Sequence, residues 1–185
     1  YGAGHCEELI GQAIKGYDRE SLILASKVLK HNLAYDDVLK AAEQSLVRLD
    51  TDYLDLYYIH SPNRDIDINE TMRAFDRLVD EGLVKYIAVS NFTLERLKAA
   101  QAASSHKIIA NQIEYSLITR ETGKYGGNHS MESETLSYCQ EHDIYVVAER
   151  PVERGILLEP TPVMDEMVEK YNRSYAQIAI NWLIS

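Results

Sequence analysis

The run "LDLYYIH", residues 54–60, decides the fold. It is short, apolar almost throughout, and ends on an imidazole. A strand with one solvated face alternates apolar and polar residues, whereas a strand covered on both faces reads as a nearly continuous apolar run. Residues 54–60 therefore predict a strand inside a parallel sheet. Four other stretches share the pattern: "LILASKV" (22–28), "KYIAVSN" (85–91), "KIIANQIEY" (107–115) and "IYVVAER" (144–150).

Helical patterns fill the intervals. "DDVLKAAEQSLVRL" places Val38, Ala41, Ala42, Ser45, Leu46 and Leu49 on one face. "NETMRAFDRLVDEG" opens on Asn69, an N-cap residue type, and stops at Gly82, which suits a left-handed C-terminal position. "TLERLKAAQAA" starts at Thr93 and "SMESETLSYCQEH" at Ser130, and Ser174 with Gln177 reads as a capping box. Strand starts recur 22 to 37 residues apart with a helix between each pair. That alternation predicts an α/β fold with a parallel sheet, either a (β/α) barrel or a doubly wound sheet.

Composition narrows the function. The 185 residues suit one domain, 1–185, with a real core. A net charge of −10 argues against nucleic acid or an anionic membrane as the main partner. No apolar run approaches the length of a membrane span. Two distant cysteines, Cys6 and Cys139, suggest a reducing, cytoplasmic setting. "HCEE" (5–8) matches no usual zinc spacing, so no metal site is expected. Cys6 is read as an inert, half-buried thiol. Gly126-Gly127 is read as loop within "TRETGKYGGNHS" (119–130). Tyr53, Tyr57, Tyr58 and Trp182 are read as packing.

The polar residues of the five strands cluster at their C-terminal ends: Ser26 and Lys27, His60, Ser90 and Asn91, Gln112 with Glu114 and Tyr115, then Glu149 and Arg150. Ligand groups of parallel α/β folds gather at that edge. Any one such residue is as easily a cap or a loop contact, but five consecutive strands ending this way imply one shared site. Lys27 follows an apolar run and should be mostly buried, which requires a partner or a shifted pKa. With a nearby Tyr, Lys27 and His60 make a proton-donating set, because a neighbouring cation favours phenolate and lowers a Tyr from about 10.

These segments resemble the aldo-keto reductases. "YGAGHCEELIG" (1–11) is similar to the segment that carries the family's catalytic Tyr, with Glu7 and Gly11 at matching spacing. "ASKV" resembles the strand with the catalytic Lys, "YIHSPN" the strand with the active-site His, and "NQIEYSL" the segment whose Gln meets nicotinamide. "KYIAVSNF" resembles the family signature, with Phe75 ten residues before Lys85 and Ala88 in place of the usual Gly.

The resemblance implies a (β/α)8 TIM barrel, incomplete in this chain with about five strands visible. It implies a reductase that converts aldehydes or ketones to alcohols by hydride transfer from NADP(H), with NAD(H) also open. Tyr1 would be the general acid, Lys27 would lower its pKa, and His60 would orient the carbonyl. Ser90, Asn91 and Gln112 would bond the nicotinamide carboxamide, and Arg150 within "ERPVERGIL" would serve the pyrophosphate. It also implies that two strands, an Asp ahead of Tyr1, the eighth strand and a basic adenosine-phosphate segment lie outside the chain, so that the isolated chain turns over poorly. Glu149 stands where the family commonly carries an aromatic ring. The expected partner is a small carbonyl substrate. A nicotinamide-nucleotide-binding redox sensor with little turnover is the rival reading, and an unrelated phosphate-binding barrel enzyme is a third.

Overall fold

The computed structural model describes residues 2–122 and 129–185. A 3-10 turn, Gly2–Gly4, leads into α1 (His5–Ala13), and a second turn, Arg19–Ser21, leads into β1 (Ala25–Val28). Three helix–strand pairs follow in order. They comprise α2 (Tyr35–Leu49), β2 (Leu54–Ile59), α3 (Ile68–Asp80), β3 (Val84–Ser90), α4 (Leu94–Ala102) and β4 (Ile108–Glu114). A π-helical turn, Met131–Leu136, runs into α5 (Ser137–Glu141), then come β5 (Tyr145–Glu149), a 3-10 segment Glu153–Leu158, α6 (Pro162–Tyr171) and α7 (Tyr175–Ile184).

The five strands pair in parallel in strict sequence order, β1-β2-β3-β4-β5. A doubly wound sheet reverses its strand order at a switch point, whereas a barrel never does. The order therefore selects the barrel over the alternative that sequence periodicity leaves open.

Large side chains pack on the helix-facing side. Tyr57, Phe75, Leu49, Leu54, Ile59, Met72, Leu78, Ile87, Leu97 and Ile108 are all buried there, and the Tyr57 and Phe75 rings stack with centroids 5.4 Å apart. Each such side chain contributes about 1.5–3 kcal/mol on leaving water. The opposite face of β2–β4 carries a smaller cluster of Tyr58, Ala88 and Ala110. Trp182 stacks on Tyr115 at 5.5 Å against a third cluster that includes Ile113.

Helix termini follow the sequence closely, with one shift. The N-cap of α3 is Asp67, not Asn69: the Asp67 carboxylate accepts the Asn69 N–H at 3.0 Å. Asp outcompetes the Asn two residues later because its charge also complements the helix dipole. The Ser174/Gln177 capping box forms as expected, and Gly82 takes the left-handed conformation after α3 at φ 74°. Helix α6 carries its own signal, Thr161 capping the Met164 N–H with Pro162 at the first position.

The N-terminal end of the sheet is pinned by a group that sequence periodicity does not reveal. Asp55, 7% exposed, accepts the Leu24 N–H at 2.9 Å and meets Arg19 at 2.8 Å and Lys85 at 3.0 Å. Burial alone would raise its pKa, but the bonds from Leu24, Lys85 and Arg19 outweigh that and hold it below the ordinary 3.8. A carboxyl lowered in the folded state stabilises the fold above its unfolded pKa, and that contribution is lost as pH falls through the folded value. Asp55→Asn keeps an acceptor for Leu24 but leaves both cations unmatched. It is expected to cost about 1–3 kcal/mol in urea unfolding at neutral pH, with the difference from wild type narrowing below about pH 4.

Candidate active site

The strand order brings the C-terminal ends of β1 to β5 to one edge. Lys27 and Tyr58 are register partners, and the Lys27 ammonium lies 5.1 Å from the centre of the Tyr58 ring. The ladder continues one step past β2, with the His60 N–H donating to the Val28 carbonyl at 3.0 Å. Lys27 and His60 thus stand on neighbouring strands and line one cavity of about 380 Å³, together with Gly4, Arg48 and Tyr57. Lys27 is half-buried rather than mostly buried. Tyr1 lies outside the described residues.

The turn that follows Tyr1 is held from behind. Glu7, at 4% exposure, takes the Ser26 hydroxyl on one oxygen and the Arg48 guanidinium on the other, at 2.6 Å. Burial pushes this carboxyl up, but the bonds from Ser26, Ser45 and Arg48 outweigh it and hold the pKa below 4.5. The buried Tyr57 hydroxyl faces the same network, and desolvation raises its pKa far above the usual phenol. Gly4 has φ +98°, and a Cβ there would sit 2.7 Å from the Arg48 side chain. A Cβ on Gly11 would meet the Arg48 carbonyl oxygen at 2.7 Å. The two glycines let α1 rest directly on the end of α2, with Arg48 laid against the Gly2–Gly4 turn.

The other half of the site lies on β3 and β4. Ser90 pairs in register with Gln112, and the Asn91 N–H donates to the Gln112 carbonyl at 2.7 Å, with Asn91 left-handed at φ 61°. Asn is among the residue types that tolerate this conformation. The Asn91 amide donates to Ser90 Oγ at 3.0 Å and to Glu149 Oε2 at 3.4 Å. Its Oδ1 is buried and has no hydrogen-bond partner among the described residues. An orphaned buried acceptor costs about 1–3 kcal/mol unless something donates to it. Beside it, the Ser90 hydroxyl has a proton to give. A neighbouring acceptor and donor are complementary to a carboxamide, so these residues fit the nicotinamide that the resemblance implies.

Arg150 follows β5 at the same edge. It pairs with buried Glu114 and lies 3.9 Å from Glu149, so two carboxylates already surround its charge. Cys6 is exposed rather than half-buried, because it falls on the outer side of α1, away from Glu7 and Gly11. Among the described residues no group of three or more His, Cys, Asp or Glu could hold a metal ion, and no helix is long and apolar enough to cross a membrane.

Two positioning contacts were not anticipated from the sequence. Asn111, fully buried, grips the loop after β3: its Nδ2 donates to the Phe92 carbonyl at 2.9 Å, and its Oδ1 accepts the Phe92 N–H at 3.4 Å. The second is the Glu7–Arg48 pair. For Asn111 a signal existed, since a polar side chain within a strand covered on both faces must be hydrogen-bonded. For Glu7 and Arg48, 41 residues apart, none did.

Comparison with known proteins adds the following. A profile of the Aldo/keto reductase family matches residues 1–185. Glyoxal reductase of Bacillus subtilis is 36% identical over 178 residues, covering 95% of this chain and 60% of the relative. Methylglyoxal reductase YeaE of Escherichia coli is 30% identical over 190 residues, covering 100% of this chain and 63% of the relative. Among solved structures, the thermostable aldo-keto reductase Tm1743 superposes with a TM-score of 0.90 at 39% identity, over 100% of this chain and 65% of its own. An aldo/keto reductase from Klebsiella pneumoniae, solved with NADP and acetate, gives 0.86 at 32% identity, over 100% and 63%. The chain spans 55% to 63% of the length of the first curated relatives it matches.

Proposed function

Since the chain belongs to the aldo/keto reductase family, we propose that it works in the NADPH-dependent, reversible reduction of a carbonyl to an alcohol. In that reaction RCHO, NADPH and a proton become RCH2OH and NADP+. The observation that carries this reading is the buried Asn91 Oδ1 without a donor, set beside Ser90 and Gln112 at the same strand ends that present Lys27 and His60.

When bound, the reduced nicotinamide would supply the reducing equivalent to the carbonyl carbon; the chain's residues would handle position and proton. Asn91 Oδ1 would accept from the carboxamide and the Ser90 hydroxyl would donate to it, with Gln112 beside them. These bonds would select which ring face meets the substrate. Tyr1 would give its phenolic proton to the carbonyl oxygen. The Lys27 charge would favour the phenolate that this leaves, and His60 would orient the carbonyl.

Titration of the intact protein with NADPH, followed by cofactor fluorescence, tests the assignment. Saturable binding is expected, weakened about tenfold in Asn91→Ala, the equivalent of one hydrogen bond to a buried group. No fluorescence change would remove the cofactor reading. One observation favours the rival: Glu149 lies against Asn91 at the cofactor side. Tight NADPH binding with no consumption of any reactive aldehyde would favour a redox sensor instead.

A further inference from the structure

This acidic chain, with a net charge of −10, carries a cationic cleft beside its candidate site. The cleft, about 500 Å³, is lined by Lys30 from the loop after β1, Arg64 from the loop after β2, Arg96 in the first turn of α4, and Asn91. Two exposed carboxylates, Asp65 and Glu95, also reach it. Yet none of the three cations forms an ion pair among the described residues. Arg19, Arg48 and Arg150, by contrast, are matched to carboxylates.

Arg96 is placed against helix preference. The first turn of a helix carries the positive end of the macrodipole and favours anions. The N-cap of α4, Thr93, makes no side-chain capping bond, and Glu95 in the same first turn is the acidic residue that offsets that end. The loops that carry Lys30 and Arg64 are clipped together by Asn63. Its Nδ2 donates to the Lys30 carbonyl at 2.8 Å, and its Oδ1 accepts the Asp65 N–H at 3.0 Å. Asn91, 4% exposed with its acceptor orphaned, opens on the same cleft and joins it to the half of the site assigned to nicotinamide.

We propose that the substrate is an anionic carbonyl compound, an aldehyde or ketone that also bears a carboxylate or phosphate, and that Lys30, Arg64 and Arg96 hold the anion. The anion is unchanged in the reaction; it orients the carbonyl end toward the strand ends. Guanidinium groups present paired N–H donors that match either oxyanion. The proposal rests on the carbonyl-reductase reading.

The test assays the intact protein with NADPH on two matched pairs, 4-carboxybenzaldehyde against benzaldehyde and glyceraldehyde 3-phosphate against glyceraldehyde. In at least one pair the anionic member is expected to have kcat/KM at least about tenfold higher, carried by KM and shrinking as ionic strength rises. The pair that responds tells carboxylate from phosphate. In the R64Q/R96Q double variant the ratio should fall close to one. Equal kcat/KM within both pairs, or a preference that survives the double variant, overturns the proposal while leaving carbonyl reduction standing. If no aldehyde is consumed, the reductase reading fails, and calorimetric titration with inorganic phosphate and with benzoate decides the anion site alone. Binding lost in R64Q/R96Q supports it; no binding, or binding unchanged by the substitutions, overturns it.

Discussion

Tyr1→Phe is expected to lower carbonyl turnover by about 10²- to 10⁴-fold, the range removed when a positioned general acid is lost. NADPH fluorescence titration should show binding within about twofold of wild type if the hydroxyl serves the substrate and not the cofactor, as proposed. Phe keeps the aromatic ring and removes only the hydroxyl, so a loss confined to kcat identifies the proton. A companion measurement uses Lys27→Met. If Lys27 lowers the phenol, the limb of the pH–rate profile that reports it should move up toward the free-Tyr value of about 10. Turnover undiminished in Tyr1→Phe would sink the acid assignment, whatever the cofactor titration shows.

Arg48→Met should have the largest effect on stability. It removes the guanidinium from Glu7, whose side chain is only 5% exposed, and leaves a buried carboxylate without its counter-charge. Breaking a buried pair from one side costs about 3–5 kcal/mol. In a chain of this size that lowers Tm by roughly 6–20 °C. The double variant E7Q/R48M should recover much of the loss, because no buried charge then remains; a double variant no more stable than Arg48→Met would refute the charge argument. The pH dependence has a fixed sign. The folded Glu7 pKa lies below its ordinary value of 4.5, so the pair stabilises the fold above that value and its contribution fades as pH falls through the folded pKa. Acid should therefore shrink the gap between Arg48→Met and wild type.

What the sequence revealed and what it hid divide along physical lines. Strand positions were legible because burial on both faces leaves a local mark: residues 54–60 became Leu54–Ile59 and residues 107–115 became Ile108–Glu114. The edge that gathers Lys27, His60, Ser90, Asn91 and Gln112 was legible for the same reason, since a polar residue ending an apolar run stands out. Barrel against doubly wound sheet was not legible from periodicity, because both alternate strand and helix; strand order decided it. Ion pairs between distant segments were equally hidden. Glu7 with Arg48 and Asp55 with Arg19 each join residues more than thirty apart, and their charges look like surface charges until the fold encloses them. Arg150 with Glu114 is a further such pair, 36 residues apart in the sequence.

The sequential strand order has a consequence for how the chain acquires its shape. Ala25 meets Leu56, Leu54 meets Val84, Ile87 meets Ile108 and Ala110 meets Tyr145. Every pairing in the sheet therefore closes a loop of roughly 20 to 35 residues, and closure entropy grows only with the logarithm of that length. Among the described strands, each pairs only with its neighbours in sequence. Each βα unit can dock on the one made before it, so a polypeptide still leaving the ribosome already holds the neighbours its next strand needs.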